Sequence, residues 1–600
     1  MRVLGLEGTA WCASAALHDT ETGSTRIESD PYEPDSGGIH PREAAEHMSE
    51  AIPEVVATVL DAAEATYGPD AIDAVAFSRG PGLGPCLRTV GTAARSLAGG
   101  LDVPLVGVNH MVAHLEIGRH ESGFSNPVCL NASGANAHLL GYHDGRYRVL
   151  GETMDAGVGN AIDKFTRHVG WSHPGGPKVE AAAAEVSGAE GGSDAVELLE
   201  LPYVVKGMDF SFSGISSAAN DAYDAGEPVE EVCFSLQEHV FAMLTEVSER
   251  ALSLTGADEL VLGGGVGQND RLREMLAEMC TARDAAFHAP EPRYLRDNAG
   301  MIAVLGAKMA TAGDTLEIRE SRIDPNFRPD QVPVTWRDDE PSVARLGTER
   351  GGDPENDDDR DRRGAEAVVE VVAADGVDDS EGADDADGTD DVDGPIVRKR
   401  RIPKGYRHPA LDRSLRRDRT VAEARLTSEA RRAGVPTPLV YDVDVPEATL
   451  TLQYVGERDL ARALSGDNGE RADRTGRADR TGRADRTGRA VRSVGRHLAR
   501  IHDAGFVHGD PTTRNVRIGH GESDSGGARD PTYLIDFGLG YHTGHVEDHA
   551  MDLHVFEGSV TATATDPDRL IDAFEDGYRE EGATAVLDRL REVRGRGRYR

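Results

Sequence analysis

The residues with the clearest chemical spacing lie near the end of this 600-residue chain. Asp510 is followed after four residues by Asn515, and Asp536-Phe537-Gly538 begins twenty-one positions after that asparagine. The first aspartate of such a pattern can orient or deprotonate an attacking hydroxyl, while the asparagine and the second aspartate hold magnesium ions on ATP. The spacing therefore predicts phosphoryl transfer, with Asp510 as the catalytic residue and Asn515 and Asp536 as magnesium ligands.

The other parts of such an ATP site can be assigned upstream by their order. Lys399 can grip the α- and β-phosphates, and Glu423 can supply the helix carboxylate that pairs with it. Gly364-Ala365-Glu366-Ala367 stands where a glycine-rich loop is expected, although it contains one glycine. The alternative interpretation is that Lys399 is merely one member of a basic cluster from Arg398 to Arg407.

The residue before the predicted catalytic aspartate is unusual for a regulated kinase. Gly509 stands where such kinases carry the arginine that reads a phosphorylated activation loop, and only about sixty residues follow Asp536-Phe537-Gly538. Both features argue against a phosphorylation switch and a peptide-docking platform. An ATPase or self-phosphorylating role fits this pattern better.

A second candidate site is a histidine pair in the first half of the chain. If Asn109 caps a helix, His110 and His114 lie at i and i+4 on one face, a spacing that suits a divalent metal. The pair alone is a weak signal, since His545 and His549 repeat the spacing elsewhere. A zinc metalloprotease would place a glutamate general base directly after the first histidine, where this chain has Met111.

Glycine-containing loops follow several predicted strands of the first half. Such loops let backbone N–H groups approach a phosphate or nucleoside closely. Five of them in one domain predict a nucleotide clamped between two lobes, as in the actin, Hsp70 and sugar-kinase superfamily. The loops are Glu7-Gly8-Thr9, Gly80–Gly84, Ser133–Asn136, Asp155–Asn160 and Gly263–Asn269.

Composition indicates a soluble protein of the cytoplasm. The formal net charge is −40, and only six of the 65 basic residues are lysines, which is typical of a cytosol of very high salt, as in a halophilic archaeon. The five cysteines are widely spaced and are expected to be reduced. No apolar run approaches the roughly 18 residues that a membrane span requires.

The chain divides into two predicted units. Residues 1–337 alternate β-branched runs with Ala-rich helical stretches, which predicts an α/β fold with two lobes. An acidic linker is expected over 338–360, followed by a small protein-kinase-like α+β domain over 361–600. Low-complexity insertions are predicted near 375–393, near 466–490, where Arg-Ala-Asp-Arg-Thr-Gly repeats in tandem, and over 519–530.

Several segments together resemble a known family. The stretches Asn109–His114, Asp155–Pro177, Gly263–Arg273 and Arg296–Met301 resemble the tRNA N6-adenosine threonylcarbamoyltransferases. The second half resembles the small atypical serine/threonine kinase of the KEOPS complex, and the order of the halves looks like the archaeal fusion of the two. The resemblance implies tRNA, threonylcarbamoyl-adenylate and other KEOPS subunits as partners.

The resemblance also implies roles for individual residues. His110, His114 and Asp297 would bind one divalent metal, iron or zinc, with iron favoured. Family members often have Tyr at position 131 and Gly at position 135, so whether Asn131 ligates the metal stays open. The residues expected to hold the adenylate are Asn131, Ala132, Ser133, Gly134, Ala135, Asp163, Gly176, Glu180 and Asn269.

One further interpretation and one binding question remain open. The chain could be a protein kinase whose first half is a non-catalytic scaffold, in which case the three metal ligands would be dispensable.

A protein of charge −40 must hold tRNA through local basic patches, and two stand out, Arg398–Arg432 and the tail Arg589–Arg600. Deleting Arg594–Arg600 is expected to weaken tRNA binding.

Overall fold

The computed structural model describes most of the chain outside the predicted linker and insertions. The described ranges are 1–32, 39–134, 136–143, 145–187, 196–337, 361–372, 395–464, 478–519, 531–564 and 566–594. The predicted linker 338–360 and the predicted insertions at 375–393, 466–477 and 520–530 lie outside these ranges.

Residues 1–337 contain twelve described strands in two five-stranded sheets and one short hairpin. The strands are β1 (Arg2–Glu7), β2 (Cys12–Asp19), β3 (Ser24–Pro31), β4 (Ala74–Gly80), β5 (Leu105–Asn109), β6 (Val128–Ala132), β7 (Ala137–His143), β8 (Arg146–Glu152), β9 (Val205–Lys206), β10 (Asp209–Phe210), β11 (Glu259–Gly263) and β12 (Ala286–His288).

Ten described helices accompany these strands. They are α1 (Pro41–Tyr67), α2 (Gly84–Leu101), α3 (His110–Ser122), α4 (Val158–His168), α5 (Gly176–Ser187), α6 (Ser213–Ala225), α7 (Val229–Thr255), α8 (Asp270–Ala282), α9 (Pro292–Leu295) and α10 (Ala299–Thr311).

The two five-stranded sheets repeat one topology. Their orders are β3-β2-β1-β4-β5 and β8-β7-β6-β11-β12. In each sheet the first three strands form an antiparallel meander and the last two run parallel to its inner strand. This repetition agrees with the predicted α/β fold of two lobes.

The first sheet is buried on both faces because its strands alternate between two cores. Leu4 and Val75 belong to the core formed with α1 and α2. Val3 and Ala76 point the other way and pack with Met301 and other residues of α10. A sheet covered by helices on both faces requires this near-continuous apolar sequence, and it fixes the edge at which the parallel strands end.

The second half has its own strands and helices. The strands are β13 (Asp361–Arg363), β14 (Ala367–Val372), β15 (Ile396–Arg401), β16 (Val440–Asp444), β17 (Thr449–Gln453), β18 (Arg458–Asp459), β19 (Phe506–Val507), β20 (Val516–Ile518), β21 (Thr532–Leu534) and β22 (Tyr541–His542). The helices are α11 (Pro409–Arg432), α12 (Leu460–Leu464), α13 (Ala478–Asp503), α14 (Val546–Thr563), α15 (Pro567–Glu581) and α16 (Thr584–Val593).

These elements form a sheet followed by a helical region. The antiparallel sheet has the order β13-β14-β15-β17-β16. Residues of α13 to α16 share one apolar core with Phe537. The helix α13 begins at Ala478, inside the tandem repeat of the predicted low-complexity insertion. Alanine and arginine, which recur in the repeat, are good helix formers.

Helix α7 joins the two halves. It is buried along most of its length, and three of its polar residues, Glu246, Glu249 and Arg250, contact the second half. Buried charges require partners, and Arg407 and Lys404 supply two of them at 2.7 Å and 2.6 Å.

Among the helices in the described ranges, none is long and apolar enough to cross a membrane. All five cysteines are free and buried.

Candidate functional sites

The histidine pair lies where a parallel strand of the first sheet ends. Asn109 terminates β5, and its side-chain oxygen accepts hydrogen bonds from the N–H groups of Met111 and Val112, as the predicted cap requires. His110 and His114 consequently share one face of α3, with ring centroids 4.9 Å apart. Local sequence therefore suffices to place both imidazoles side by side.

Asp297 joins the pair from the loop between α9 and α10. Its Oδ1 lies 3.3 Å from Nε2 of His110 and 3.5 Å from Nε2 of His114. One ligand atom from each of the three residues lies within 4.8 Å of the others. The structure thus brings together the three residues that the sequence predicted as metal ligands.

Glu7 at the end of β1 is a component that the sequence analysis noted only as part of a glycine loop. Its side chain is fully buried, and its Oε2 lies 3.1 Å from Nδ1 of His110. Oε1 accepts a hydrogen bond from the N–H of Thr9 at 2.7 Å, which fixes the carboxylate. The contact orients the ring of His110 so that Nε2 faces Asp297.

Burial and neighbouring charges set the protonation of this cluster. Burial opposes ionisation of Asp297, but His110 and His114 hold its pKa well below the ordinary value. Burial also lowers the pKa of His114. For His110 burial is outweighed by Glu7 and Asp297, which raise its pKa to about 10. A metal would therefore displace the proton that His110 shares with Asp297.

The donor set fits a divalent transition metal. Two imidazoles and one carboxylate are ligands of zinc and of iron(II). Neither ring nitrogen of His114 forms a hydrogen bond within the described part of the chain, although both are buried. The nearest acceptor, Oδ1 of Asp297, is 3.5 Å from Nε2 of this ring, and a metal ion bound to both would satisfy the buried nitrogen.

A cleft of about 1740 Å³ opens above the three ligands. His110 and Asp297 contribute to its lining, together with most of the residues predicted to hold the adenylate. These are Ser133, Gly134, Asp163, Gly176, Glu180 and Asn269. Asn131 and Ala132 are buried in β6 beneath this lining, and Ala135 lies outside the described residues.

The polar residues of the cleft are held by local hydrogen bonds. Asp163 Oδ1 accepts from the N–H of Gly175 at 2.8 Å, and its Oδ2 lies 3.2 Å from Nδ1 of His173. Glu180 accepts from the N–H of Asp270 at 2.9 Å, at the start of α8. Asn269 caps the same helix. These contacts orient the carboxylates at the cleft surface.

Glycine is required at one point of the cleft wall. A Cβ on Gly159 would lie 2.7 Å from Cα of Gly134, so the two loops can approach each other only without side chains. The close approach brings the backbone of the β6–β7 connection against the first turn of α4 at the cleft. That these segments let backbone approach a ligand stays a prediction.

The second half supplies another wall of the same cleft. The contributing side chains belong to α14 and α16. They are Glu547, Asp548, Met551, His554, Arg589, Arg591, Glu592 and Val593. The cleft over the metal ligands is therefore shared by both halves of the chain.

The residues predicted for the ATP site also come together. Lys399 Nζ lies 2.9 Å from both carboxylate oxygens of Glu423 and 2.7 Å from Oδ1 of Asp536. Asn515 Nδ2 donates to the backbone oxygen of Asp510 at 2.8 Å and to its Oδ2 at 3.1 Å. The contact with Glu423 supports the predicted role of Lys399 over membership of a surface cluster.

The turn between β13 and β14 contains Gly364 to Ala367. The N–H of Gly364 donates to the carbonyl oxygen of Ala367 at 2.9 Å, which closes the turn. Glu366 is partly buried and pairs with Arg250 and Arg419. The structure thus places this segment at a hairpin turn, with one acidic side chain bonded to arginines.

Arg250 of α7 was missed by the sequence analysis. Its Nη1 lies 3.0 Å from Oδ2 of Asp510, although it belongs to the other half of the chain. Burial raises the pKa of Asp510 to about 7, and the charge of Arg250 opposes this rise. The catalytic aspartate predicted from sequence therefore has a cationic neighbour that no local motif announces.

The predicted basic patch Arg398–Arg432 contains both buried and exposed arginines. Arg401, Arg407 and Arg419 are buried and bonded to glutamates, so they cannot reach a tRNA. Arg413, Arg417, Arg425 and Arg432 of α11 are exposed. In the tail, Arg594 pairs with Glu557 and Glu575, and residues 595–600 lie outside the described ranges.

Comparison with known proteins finds one matching family model and several relatives of the whole chain. A family model described as tRNA N6-adenosine threonylcarbamoyltransferase matches residues 22–304. A protein of Haloquadratum walsbyi is 61% identical over 601 residues and covers 100% of both chains. One from Halobacterium salinarum is 64% identical, and one from Methanospirillum hungatei is 46% identical, each over 100% of this chain and 99% of the relative.

All three relatives carry the name "Probable bifunctional tRNA threonylcarbamoyladenosine biosynthesis protein". Fold and cleft define a mixed α/β enzyme with a ligand cleft above a His-His-carboxylate group. The chain belongs to the family of bifunctional tRNA threonylcarbamoyladenosine biosynthesis proteins. Its function lies in the synthesis of threonylcarbamoyladenosine on tRNA, which is its substrate.

Proposed function

We propose that residues 1–337 transfer the threonylcarbamoyl group from threonylcarbamoyl-adenylate to N6 of the adenine 3′ of the anticodon. The observation that carries the proposal is the meeting of His110 and Asp297 with Asp163, Glu180 and Asn269 in one cleft. The cleft is large enough for a nucleotide and an acyl group together.

His110, His114 and Asp297 would hold the divalent metal, iron or zinc, and Glu7 would orient His110. When bound, the metal supplies Lewis-acid polarisation of the carbamoyl carbonyl. Burial of the two histidines would exclude bulk water from one side of the reacting group and so protect the reactive adenylate from hydrolysis.

The cleft residues would bind the adenylate and orient it. Asp163 and Glu180 are carboxylates that can accept hydrogen bonds from ribose hydroxyls or the adenine amine. The Ser133–Gly134 turn can approach the phosphate through its backbone, because Gly159 leaves room beside it. Such fixed contacts convert the transfer into a reaction between two positioned partners.

The proposed transfer is balanced as an acyl transfer. The N6 nitrogen of adenine attacks the carbamoyl carbon, and a new C–N bond forms. The bond from that carbon to the phosphate oxygen breaks, and adenosine monophosphate leaves with the bonding electron pair. The amine loses one proton.

A comparison of two histidines on the same helix tests this proposal. His114→Ala is expected to lose the bound metal and the transfer of threonylcarbamoyl to tRNA, because it removes one of three ligands. His120→Ala is the matched control, since His120 is exposed on α3 and outside the triad. Metal content and modified tRNA would be measured together. Undiminished transfer by a metal-free His114→Ala protein would contradict the proposal.

We further infer that the second half binds magnesium and ATP and turns ATP over. Lys399, Glu423, Asp510, Asn515 and Asp536 have the relative contacts that phosphoryl transfer uses. The nucleophile could be water or a side-chain hydroxyl. Gly509, in place of a phosphate-reading arginine, favours ATP hydrolysis or self-phosphorylation over regulated phosphorylation of other proteins.

The corresponding experiment uses two aspartates of the second half. Asp536→Ala is expected to abolish ATP turnover while leaving the metal content of the first half unchanged. Asp503→Ala is the control, because Asp503 is exposed at the end of α13. Release of inorganic phosphate and phosphoprotein formation would be followed in parallel. Wild-type turnover by Asp536→Ala would refute the assignment.

A further inference from the structure

Arg401 is a second cation beside the predicted phosphate-binding lysine. It follows Lys399 by two positions on β15, so both side chains point to the same face of the sheet. Its side chain is 1% exposed. No sequence motif identifies this residue. Its burial distinguishes it from the other two arginines of β15, Arg398 and Arg400, which are exposed.

Arg401 and Lys399 share one carboxylate. Arg401 Nη2 donates to Oε2 of Glu423 at 2.5 Å, and its Nη1 donates to Oγ1 of Thr420 at 3.2 Å. Both acceptors lie on α11, one turn apart. The guanidinium therefore ties the helix that carries Glu423 to the strand that carries Lys399.

A second cation is needed because Glu423, Asp536 and the phosphates of ATP would all compete for Lys399. In the structure Lys399 contacts Glu423 at 2.9 Å and Asp536 at 2.7 Å. When the lysine turns toward phosphates and Asp536 toward magnesium, Glu423 loses part of its compensation. Glu423 is 1% exposed, and a buried carboxylate without a cation is strongly unfavourable. Arg401 can keep Glu423 paired throughout.

The metal loop has a shape that admits the guanidinium. A Cβ on Gly538 would clash with Nη2 of Arg401, so the glycine after Phe537 leaves the space that Arg401 uses. The same atom lies 3.9 Å from Oδ1 of Asp536. Arg401 thus contacts the helix carboxylate directly and lies beside the metal loop.

Regulated kinases control the lysine–glutamate pair through a phosphorylated activation loop. In this chain Gly509 precedes Asp510 and has a φ of +81°, and a Cβ there would clash with the backbone of Leu539. An arginine that reads a phosphate cannot take this position without rebuilding the loop. Glu423 is nevertheless bonded to Lys399, and Arg401 supplies the additional contact that holds it.

We propose that Arg401 is a positioning residue that keeps Glu423 directed at Lys399, so that the ATP site is assembled without phosphorylation. The inference rests on the proposed ATP-binding function of the second half. It assigns to Arg401 a role in turnover rather than in ATP affinity, because its guanidinium contacts Glu423 and Thr420.

The test compares Arg401→Met, Arg401→Lys and a neighbouring control in the full chain. Arg401→Met is expected to lower kcat for ATP hydrolysis about tenfold or more, the loss expected for one charge-assisted hydrogen bond to a buried group. KM for ATP should change much less, and Arg401→Lys should restore part of kcat. Arg400→Met is the control, since Arg400 is exposed on the opposite face of β15.

A double-variant cycle separates positioning from a general structural role. If Arg401 acts through Glu423, Arg401→Met should cost little more in a Glu423→Gln protein. An equal loss in both backgrounds, or an unchanged kcat in Arg401→Met, would overturn the inference. If Arg401→Met does not fold, Gly538→Ala displaces the same guanidinium and must lower kcat in the same way.

The outcomes distinguish this inference from the function on which it rests. A protein in which Asp536→Ala is inactive while Arg401→Met and Gly538→Ala turn over ATP normally would refute only the role of Arg401. A protein in which Asp536→Ala matches the wild type would refute the ATP site, and with it the positioning role.

Discussion

The two candidate sites of this chain differ in how their charges are balanced. In the first half, the ring nitrogens of His114 are buried without hydrogen-bond partners in the described chain, and the carboxylate of Asp297 faces two imidazoles. In the candidate ATP site of the second half, both aspartates already have a cationic partner, Lys399 for Asp536 and Arg250 for Asp510. The first site would exchange the proton of His110 for a metal ion, whereas the second would exchange side-chain partners on binding magnesium and ATP.

Under the proposed functions, this difference would let one chain bind two kinds of metal. Imidazole ligands favour transition metals, and carboxylate and amide oxygens favour magnesium. A lysine that neutralises Asp536 can be displaced toward a phosphate, which links magnesium binding to ATP binding. The proposed transition-metal site contains no lysine that must move toward a phosphate. Its occupancy should therefore not depend on ATP.

The largest expected effect separates the sites by metal removal. Protein stripped of all metals and supplied with magnesium alone should lose threonylcarbamoyl transfer almost completely, because the His-His-carboxylate group is not a magnesium site. ATP turnover should return to the untreated level. Both activities would be measured on one preparation, before and after addition of iron(II) or zinc. Recovery of transfer with magnesium alone would remove the distinction between the sites.

A somewhat smaller effect is expected from replacing Arg250, the cation of the first half that contacts acidic residues of the second half. Arg250→Met leaves Asp510 without its cation and Glu366 with only part of its compensation, and breaking a buried pair costs about 3 kcal/mol or more. The midpoint of thermal unfolding should therefore fall. Arg319→Met is the control, because Arg319 is exposed and forms a long ion pair of 3.7 Å with the exposed Glu320. Equal midpoints for the two variants would show that the contact with Asp510 contributes nothing to stability.

The orientation of His110 should be measurable as metal affinity. Glu7→Gln keeps the size of the side chain but removes the charge that holds Nδ1, and loss of such an outer partner typically costs about 10–100-fold in affinity. Competition with a coloured chelator would report the change without relying on activity. Glu28→Gln, on β3 of the same sheet, serves as control because Glu28 pairs with Arg26 rather than with His110. An affinity equal to that of the wild type would remove Glu7 from the site.

The smallest expected effect concerns the wall that the second half adds to the cleft. Arg589 and Arg591 line the cleft beside the chain end, so we expect deletion of residues 595–600 to weaken tRNA binding several-fold. The deletion spares Arg594, which is bonded to Glu557 and Glu575. Titration with tRNA at several salt concentrations should also show a lower salt dependence, since phosphate contacts are lost. Unchanged affinity at matched salt would exclude the tail from tRNA binding.

The sequence by itself determined the local part of both sites. Asn109 followed by apolar residues fixed a capped helix, and the i,i+4 spacing then placed His110 and His114 on one face. The four-residue separation of Asp510 and Asn515 likewise fixed their relative positions within one short loop. These features depend on hydrogen bonds between near neighbours, which is why they could be predicted without the fold.

Only the tertiary structure decided which distant residues share the same space. Glu7 reaches His110 across 103 positions, and Arg250 reaches Asp510 across 260. Within the patch Arg398–Arg432, which is predicted to bind tRNA, Arg401 and Arg407 are buried against glutamates, whereas Arg413 and Arg417 are exposed. Arginines on one strand and helix look equivalent in sequence, and the packing of α7 and α11 against them determines which ones become buried ion pairs.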